Sequence, residues 1–299
     1  MRKRRVVLLI ALAAAMVGCG LWFWQRAATR GMLHRFIASG DVDGLRHALR
    51  DGADPNQRGE GGLILRIGRT VIMYAAEQGC TECVAALIDA GADVNAEDRL
   101  SRSVLASAVG SPEIVELLLS HGADATRCTR AVQHSAIAEA FRLRQARSLR
   151  LILDAGVPSS SECLRYTLFE YTPGSAPRPV DDTTFAMLIR HTQGDLLDEG
   201  PMLLWTAAES NAVESTRLLL GFGVGVDVRS PIGLTPLMVA VGSGSVEVAQ
   251  LLLDRGADRT LKDDAGKTAI DHLAAAEAKG ASADRIEALR RLLAGGDGR

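Results

Sequence analysis

The chain has 299 residues, a formal net charge of −2 and an isoelectric point of about 6.3. Such a balance lacks the strongly basic footprint of a nucleic-acid-binding domain. Aromatic residues make up only 4%, few for a protein that stacks ligands on rings, and small or aliphatic Ala, Leu and Gly dominate, as closely packed helices require.

The first element is an N-terminal hydrophobic helix. Residues 1–5 read Met1-Arg2-Lys3-Arg4-Arg5, a basic cytoplasmic n-region. Residues 6–24 then run from Val6 to Trp24 without a charge, and 25–31 form a polar linker. A helix of that length nearly crosses a hydrocarbon core of about 30 Å. The basic residues stay inside and send the rest of the chain outward, with Trp22, Phe23 and Trp24 at the far interface. Three readings compete. The first is a retained single-span anchor, because the run exceeds the usual signal-peptide core of about 7–15 residues. A cleaved signal, cut near Ala13 to Ala15 or Ala27-Ala28, is the second. Lipid attachment at Cys19 is the third, since Met16-Val17-Gly18-Cys19 resembles a bacterial lipobox. All three place the later residues outside the cytoplasm. In bacteria the expected place is the inner membrane with the remainder facing the periplasm, or the periplasm itself.

Past residue 31 the chain repeats itself. Ala86-Leu87-Ile88 precedes Gly91, Leu117-Leu118-Leu119 precedes Gly122, and Leu151-Ile152-Leu153 precedes Gly156. Leu218-Leu219-Leu220 before Gly223 and Leu251-Leu252-Leu253 before Gly256 continue the series, with weaker end copies at Ala48-Leu49 and Leu292-Leu293. The period is about 33 residues, the length of a β-turn plus two antiparallel helices. The clearest copy opens at Gly233-Leu234-Thr235-Pro236-Leu237. There Thr235 can cap a first helix, Pro236 to about Val241, and Pro236 pre-sets its first turn. Gly242 to Ser245 break it; a second helix follows from Val246, and Gly256-Ala257-Asp258 closes the copy. Met73-Tyr74-Ala75-Ala76 with Gly91-Ala92-Asp93-Val94-Asn95 match it. These residues resemble the ankyrin repeat family. The resemblance covers 32–296, leaves 297–299 as a tail, and implies an all-α solenoid of about seven to eight helix-turn-helix repeats. No hairpin of this size is stable alone, so each must bury its apolar face on a neighbour.

In order, copy one (32–56) carries a polar outer face with His34, Arg35, Arg46 and Arg50, as a terminal cap needs. An enlarged finger, 57–69, follows it. Copy two (70–95) contains Cys80-Thr81-Glu82-Cys83. A thioredoxin-like redox motif would need a βαβ context that is absent. Cys83 is expected as a small buried core residue, with a disulfide or a metal site as alternatives. Pro112 starts the second helix of copy three (101–125). Arg142, Arg144, Arg147 and Arg150 crowd the helix junction of copy four. Copy five (159–192) is the most degenerate, with helices at 162–171 and 182–191, a Pro-rich insertion between them, and Thr192 where glycine should cap. Copies six (200–228), seven and eight (266–296) restore the pattern, the last ending in Arg285, Glu287, Arg290 and Arg291.

No catalytic, cofactor-binding or metal-binding motif is found. Gly266-Lys267-Thr268 lacks the earlier glycine of a phosphate loop, since Leu261 stands there, and the six histidines show no HExxH spacing. Asp271-His272 reads as structural. An enzyme survives only as an unrecognised site in 159–192, with Cys163 or His191 as its candidate groups.

The family resemblance implies a non-enzymatic scaffold that binds a protein partner through its fingers and the concave face of its first helices, with no nucleic acid or small-molecule substrate. Family binding positions carried onto this chain are Arg66, Ile67, Arg69, Glu77 and Gln78 in the second copy, with Arg99, Leu100 and Arg102 in the third. Trp205, Glu209 and Ser210 in the sixth and Pro231, Ile232 and Leu234 in the seventh complete the set. The arginines among them suggest a basic ridge, or more plainly a solvated face. Trp205 is either an exposed anchor or, by preference, packed on copy five. Exported ankyrin proteins that resemble this one imply an immunity-type inhibitor of a secreted effector, or else an accessory to an oxidative-stress enzyme.

Overall fold

The computed structural model describes residues 32–58, 68–126, 135–158, 167, 181–192 and 200–294. The expected span 6–24 and Cys19 lie outside them, as do Arg66, Ile67, Cys163 and the Pro-rich insertion of copy five. Among the described residues no helix is long and apolar enough to cross a membrane. Those residues are helical, and the only β pairing is two isolated bridges at finger bases, Arg58 with Thr70 and Glu97 with Ser103. The chain divides into two compact units, Met1–Ala136 and Ile137–Arg299.

Among its described residues the first unit holds three helix hairpins: α1 (Met32–Ser39) with α2 (Val42–Arg50), α3 (Val71–Glu77) with α4 (Thr81–Asp89), and α5 (Val104–Ser107) with α6 (Pro112–Ser120). First helices pack on first helices, α1 on α3 and α3 on α5. Second helices pack likewise, α2 on α4 and α4 on α6. The residue at the centre of each apolar triplet carries the core: Leu87 and Leu118 are 0% exposed. Complete burial of a leucine contributes roughly 1.5–3 kcal/mol, more than any local propensity in helices this short.

Neighbouring copies are also tied by hydrogen bonds between their turns. Asn56 Nδ2 donates to Gly91 O and its Oδ1 accepts from Asp93 N at 2.7 Å. Asn95 repeats the clasp on Gly122 O and Asp124 N. This explains the Gly-Ala-Asp-x-Asn string: the asparagine reaches the next copy's turn while the aspartate closes its own.

The second unit begins with α7 (Ala136–Arg142, which starts at the division) and α8 (Ala146–Asp154). It continues with α9 (Asp182–His191), α10 (Gly200–Glu209), α11 (Val213–Gly221), α12 (Pro236–Gly242) and α13 (Val246–Asp254). A 3₁₀ turn at Ala269–His272, then α14 (Leu273–Ala278) and α15 (Ala283–Ala294), close it. Here α10 packs on α12 and α12 on α14, while α9, α11, α13 and α15 form the second row.

The expected cap of copy seven is present, Thr235 Oγ1 accepting from Met238 N at 3.3 Å. The helix runs one residue longer than expected, through Gly242. The chain reverses only at Gly244, the residue with positive φ, and Gly242 itself stays helical. In copy five, α9 has the expected bounds. Thr192 closes it without a left-handed turn, donating its hydroxyl to Ile189 O at 2.7 Å. Asp182 fastens α9 to the next copy by accepting from Glu214 N and Ser215 N, both at 2.9 Å.

Candidate functional site

The expected binding residues that are described fall into one set in each unit. In the first, Arg69 leads into α3 and Glu77 ends it, while Arg102 comes from the next finger. The finger is shaped by Asp98, whose Oδ1 accepts from Leu100 N at 2.8 Å and Arg102 N at 2.9 Å. That turn aims Arg102 back at Glu77. The carboxylate is held by both arginines, by Arg69 at 2.6 Å and by Arg102 at 3.3 Å, with all three side chains about four-fifths buried. Two of the ridge's arginines are thus committed to a neighbouring carboxylate. Leu100 stands 49% exposed at the fingertip, Arg99 lies exposed against Gly68, and Gln78 is exposed at the end of α3.

The same helix pair carries the cysteines. Cys83 is buried as expected, but the pair is joined by a disulfide, so the alternative reading is the one realised. Three residues apart, with Cys80 at the N-cap of α4 and Cys83 in its first turn, the two Cα atoms lie 5.2 Å from one another, within disulfide reach. Among the described residues no group of side chains could hold a metal ion.

In the second unit the first helices and one finger enclose a groove of about 950 Å³. Its floor is Met202 and Trp205 from α10 with Met238 and Val239 from α12. One wall is the finger carrying Pro231, Ile232 and Leu234, and the far end is Ala275 from α14 with Lys279 just after it. The finger is held open by its own turn. Ser230 Oγ accepts from Leu234 N at 3.0 Å and Ile232 N at 3.3 Å, Arg229 donates to Lys262 O, and Gly233 turns at φ 76°. A side chain at Gly233 would also strike Asp264, whose carboxylate oxygen lies 2.4 Å from where its Cβ would stand.

Trp205 is half-buried and donates its indole N–H to Val228 O at 3.3 Å, which fixes the ring in the groove. The ring is neither an exposed anchor nor a fully buried core residue: it is partly buried and lines the groove. Ile232 is 63% exposed at the rim. The charged and titratable lining residues are engaged by neighbours: Glu209 meets Lys279 at 3.5 Å, His272 meets Asp263 at 3.0 Å, and Arg229 donates to Lys262 O. The Asp263 carboxyl is held below its ordinary value first by the Lys267 backbone N–H and then by His272. Asp271 is likewise lowered by the Thr268 N–H it caps. Both members of Asp271-His272 thus serve the turn. Ser210 follows Glu209 at the end of α10, partly buried and outside the groove lining.

Met202, Val239, Ala275 and Lys279 were not expected in the site. The available signal was the small pair Gly242-Ser243 at the end of α12, which leaves the end of the groove unfilled.

The family model for ankyrin repeats in three copies matches residues 33–128 and 184–297. The chain belongs to the ankyrin repeat family. Ankyrin repeats are typically non-enzymatic interaction modules. Curated relatives include the E3 ubiquitin-protein ligase KEG of Arabidopsis thaliana, 23% identical over 83% of this chain and 20% of its own length. Rabankyrin-5 of Homo sapiens is 25% identical over 80% of this chain and 19% of its own. The chain thus spans about a fifth of either relative. Among solved structures, the human ASB11 ankyrin repeat domain aligns with a TM-score of 0.46 at 23% identity, covering 87% of this chain and 96% of that one. The ankyrin repeat domain of Bcl-3 gives 0.45 at 18%, covering 87% and 97%.

Proposed function

We propose that this ankyrin repeat protein is a binding scaffold whose groove between α10, α12 and α14 receives an apolar segment of a partner polypeptide. The observation that carries the reading is the groove's composition: methionine, tryptophan and aliphatic side chains line it, and its charged residues Glu209, Lys279 and Arg229 are engaged by neighbours. An aromatic anchor set on rigid elements is what a few dominant contacts require, and a groove preset by packed helices lowers the ordering cost of association. The occupant is an apolar stretch, two or three large side chains long, presented by a helix or an extended strand. The finger tip bearing Leu100 and Arg99 is a second, weaker contact.

The basic residues 2–5 and the apolar run 6–24 support a place outside the cytoplasm. A Cys80–Cys83 disulfide is at home in an oxidising compartment. There the partner would be a secreted effector, which the scaffold would occlude as an immunity protein does.

The test is comparative capture. Wild-type chain and an Ile232→Asp variant are used as bait, and the proteins retained by the first are measured on the second. The charge at the rim should reduce capture at least about tenfold, the cost of desolvating an unpaired carboxylate. Equal capture by Ile232→Asp and Trp205→Ala, with loss only in Arg99→Glu, would move the site to the first unit.

A further inference from the structure

The two sulfurs of the Cys80–Cys83 disulfide have unequal surroundings. Cys83 is fully buried in the core, whereas Cys80 is partly exposed at the N-cap of α4, one residue after the left-handed Gly79. An incoming thiolate therefore reaches only the Cys80 sulfur. The place that sulfur holds is a second, separate observation. Cys80 Sγ accepts from the Cys83 backbone N–H at 3.3 Å. At the N-cap of α2 and of α9 the same contact is made by carboxylates: Asp41 accepts from Gly44 N at 2.8 Å, and Asp181 from Thr184 N at 2.9 Å. Two copies thus place an anion at this position, where unsatisfied N–H groups and the helix dipole favour negative charge. A thiolate released at Cys80 inherits the cap that aspartate fills in those two copies.

We propose that Cys80–Cys83 is a thiol–disulfide exchange site that takes two electrons from a dithiol, with Cys80 attacked and Cys83 leaving. In the first step one thiolate of the dithiol bonds to Cys80 Sγ while the Cys80–Cys83 bond breaks, and Cys83 departs as a thiolate that takes up a proton. In the second, the other thiolate of the dithiol attacks its partner sulfur in the mixed disulfide and expels Cys80. The dithiol ends as a disulfide, and its two protons pass to Cys83 and to solvent. Cys80 is left as an anion on the end of α4.

The full chain carrying Cys19→Ser, Cys128→Ser and Cys163→Ser isolates the pair. Treated with dithiothreitol without denaturant, it should gain two alkylatable thiols while its circular dichroism stays unchanged. With Cys83→Ala added, glutathione disulfide should place one glutathione on Cys80. With Cys80→Ser added instead, Cys83 should stay unmodified until urea is present. A bridge that opens only in urea, two thiols already reduced after purification in air, or equal glutathionylation at both positions overturns the proposal. Should either added substitution prevent folding, the dithiothreitol measurement on the bridged pair decides alone.

Discussion

Ser101 occupies the left-handed position of its finger at φ 60°, where the equivalent turns at 230–234 and 263–267 use Gly233 and Gly266. The turn is otherwise the same, with Asp98 and Asp263 each accepting two backbone N–H groups. An L residue in that conformation costs about 1 kcal/mol, so Ser101→Gly should raise the stability of the first unit by roughly that amount in urea titration. His34 gives a pH dependence. Its ring packs against Tyr74 at 5.2 Å, its Nε2 is buried without a partner, and burial lowers its pKa below 6.5. The folded chain then binds fewer protons than the unfolded one as pH falls through 6.5. Stability contributed by the neutral ring is complete above that value and declines below it. Melting temperatures compared from pH 7 downward should show this slope, and His34→Leu should flatten it. Glu77, the shared acceptor of Arg69 and Arg102, leaves two neighbouring guanidinium groups without their carboxylate when changed to glutamine. The expected loss is about 2 kcal/mol, below the full cost of breaking a completely buried pair because all three groups retain some solvent.

At the level of the helix, the centre of each apolar triplet is the residue that the packing depends on. Leu118 is 0% exposed on α6, while Leu117 beside it is only partly buried. Leu118→Ala should cost about 3 kcal/mol and Leu117→Ala distinctly less, a difference that urea midpoints at equal slope would show. Helices were legible in the sequence because caps and apolar spacing agree: Thr235-Pro236 and Pro112 begin the helices their chemistry suggests. Two features escaped for physical reasons. A glycine can remain helical when the next residues supply the reversal, so Gly242 is the last residue of α12 and the turn comes at Gly244. Nor does Cys-x-x-Cys spacing say whether a helix start will orient the two sulfurs toward each other, so the Cys80–Cys83 bond could be entertained from sequence but not decided.

Over residues 33–128 and 184–297 the chain is a set of repeats whose expected binding positions are distributed, and this limited how well a candidate site could be read. Trp205, Glu209, Pro231, Ile232 and Leu234 were identified from their place in the repeat, and they do gather around one groove. What spacing could not supply was the fate of individual charges. Arg69 and Arg102 share Glu77 across two copies, and Lys279 answers Glu209 from two copies away. Such pairings depend on rotamer and reach, which the repeat pattern does not encode. The central claim is that an apolar segment of a partner polypeptide occupies the groove of the second unit. Amide hydrogen exchange on the full chain, with and without the captured partner, tests it directly. The account predicts slowed exchange concentrated in residues 229–243 and 272–279; slowing confined to 68–78 and 98–102, with the groove unchanged, would contradict it.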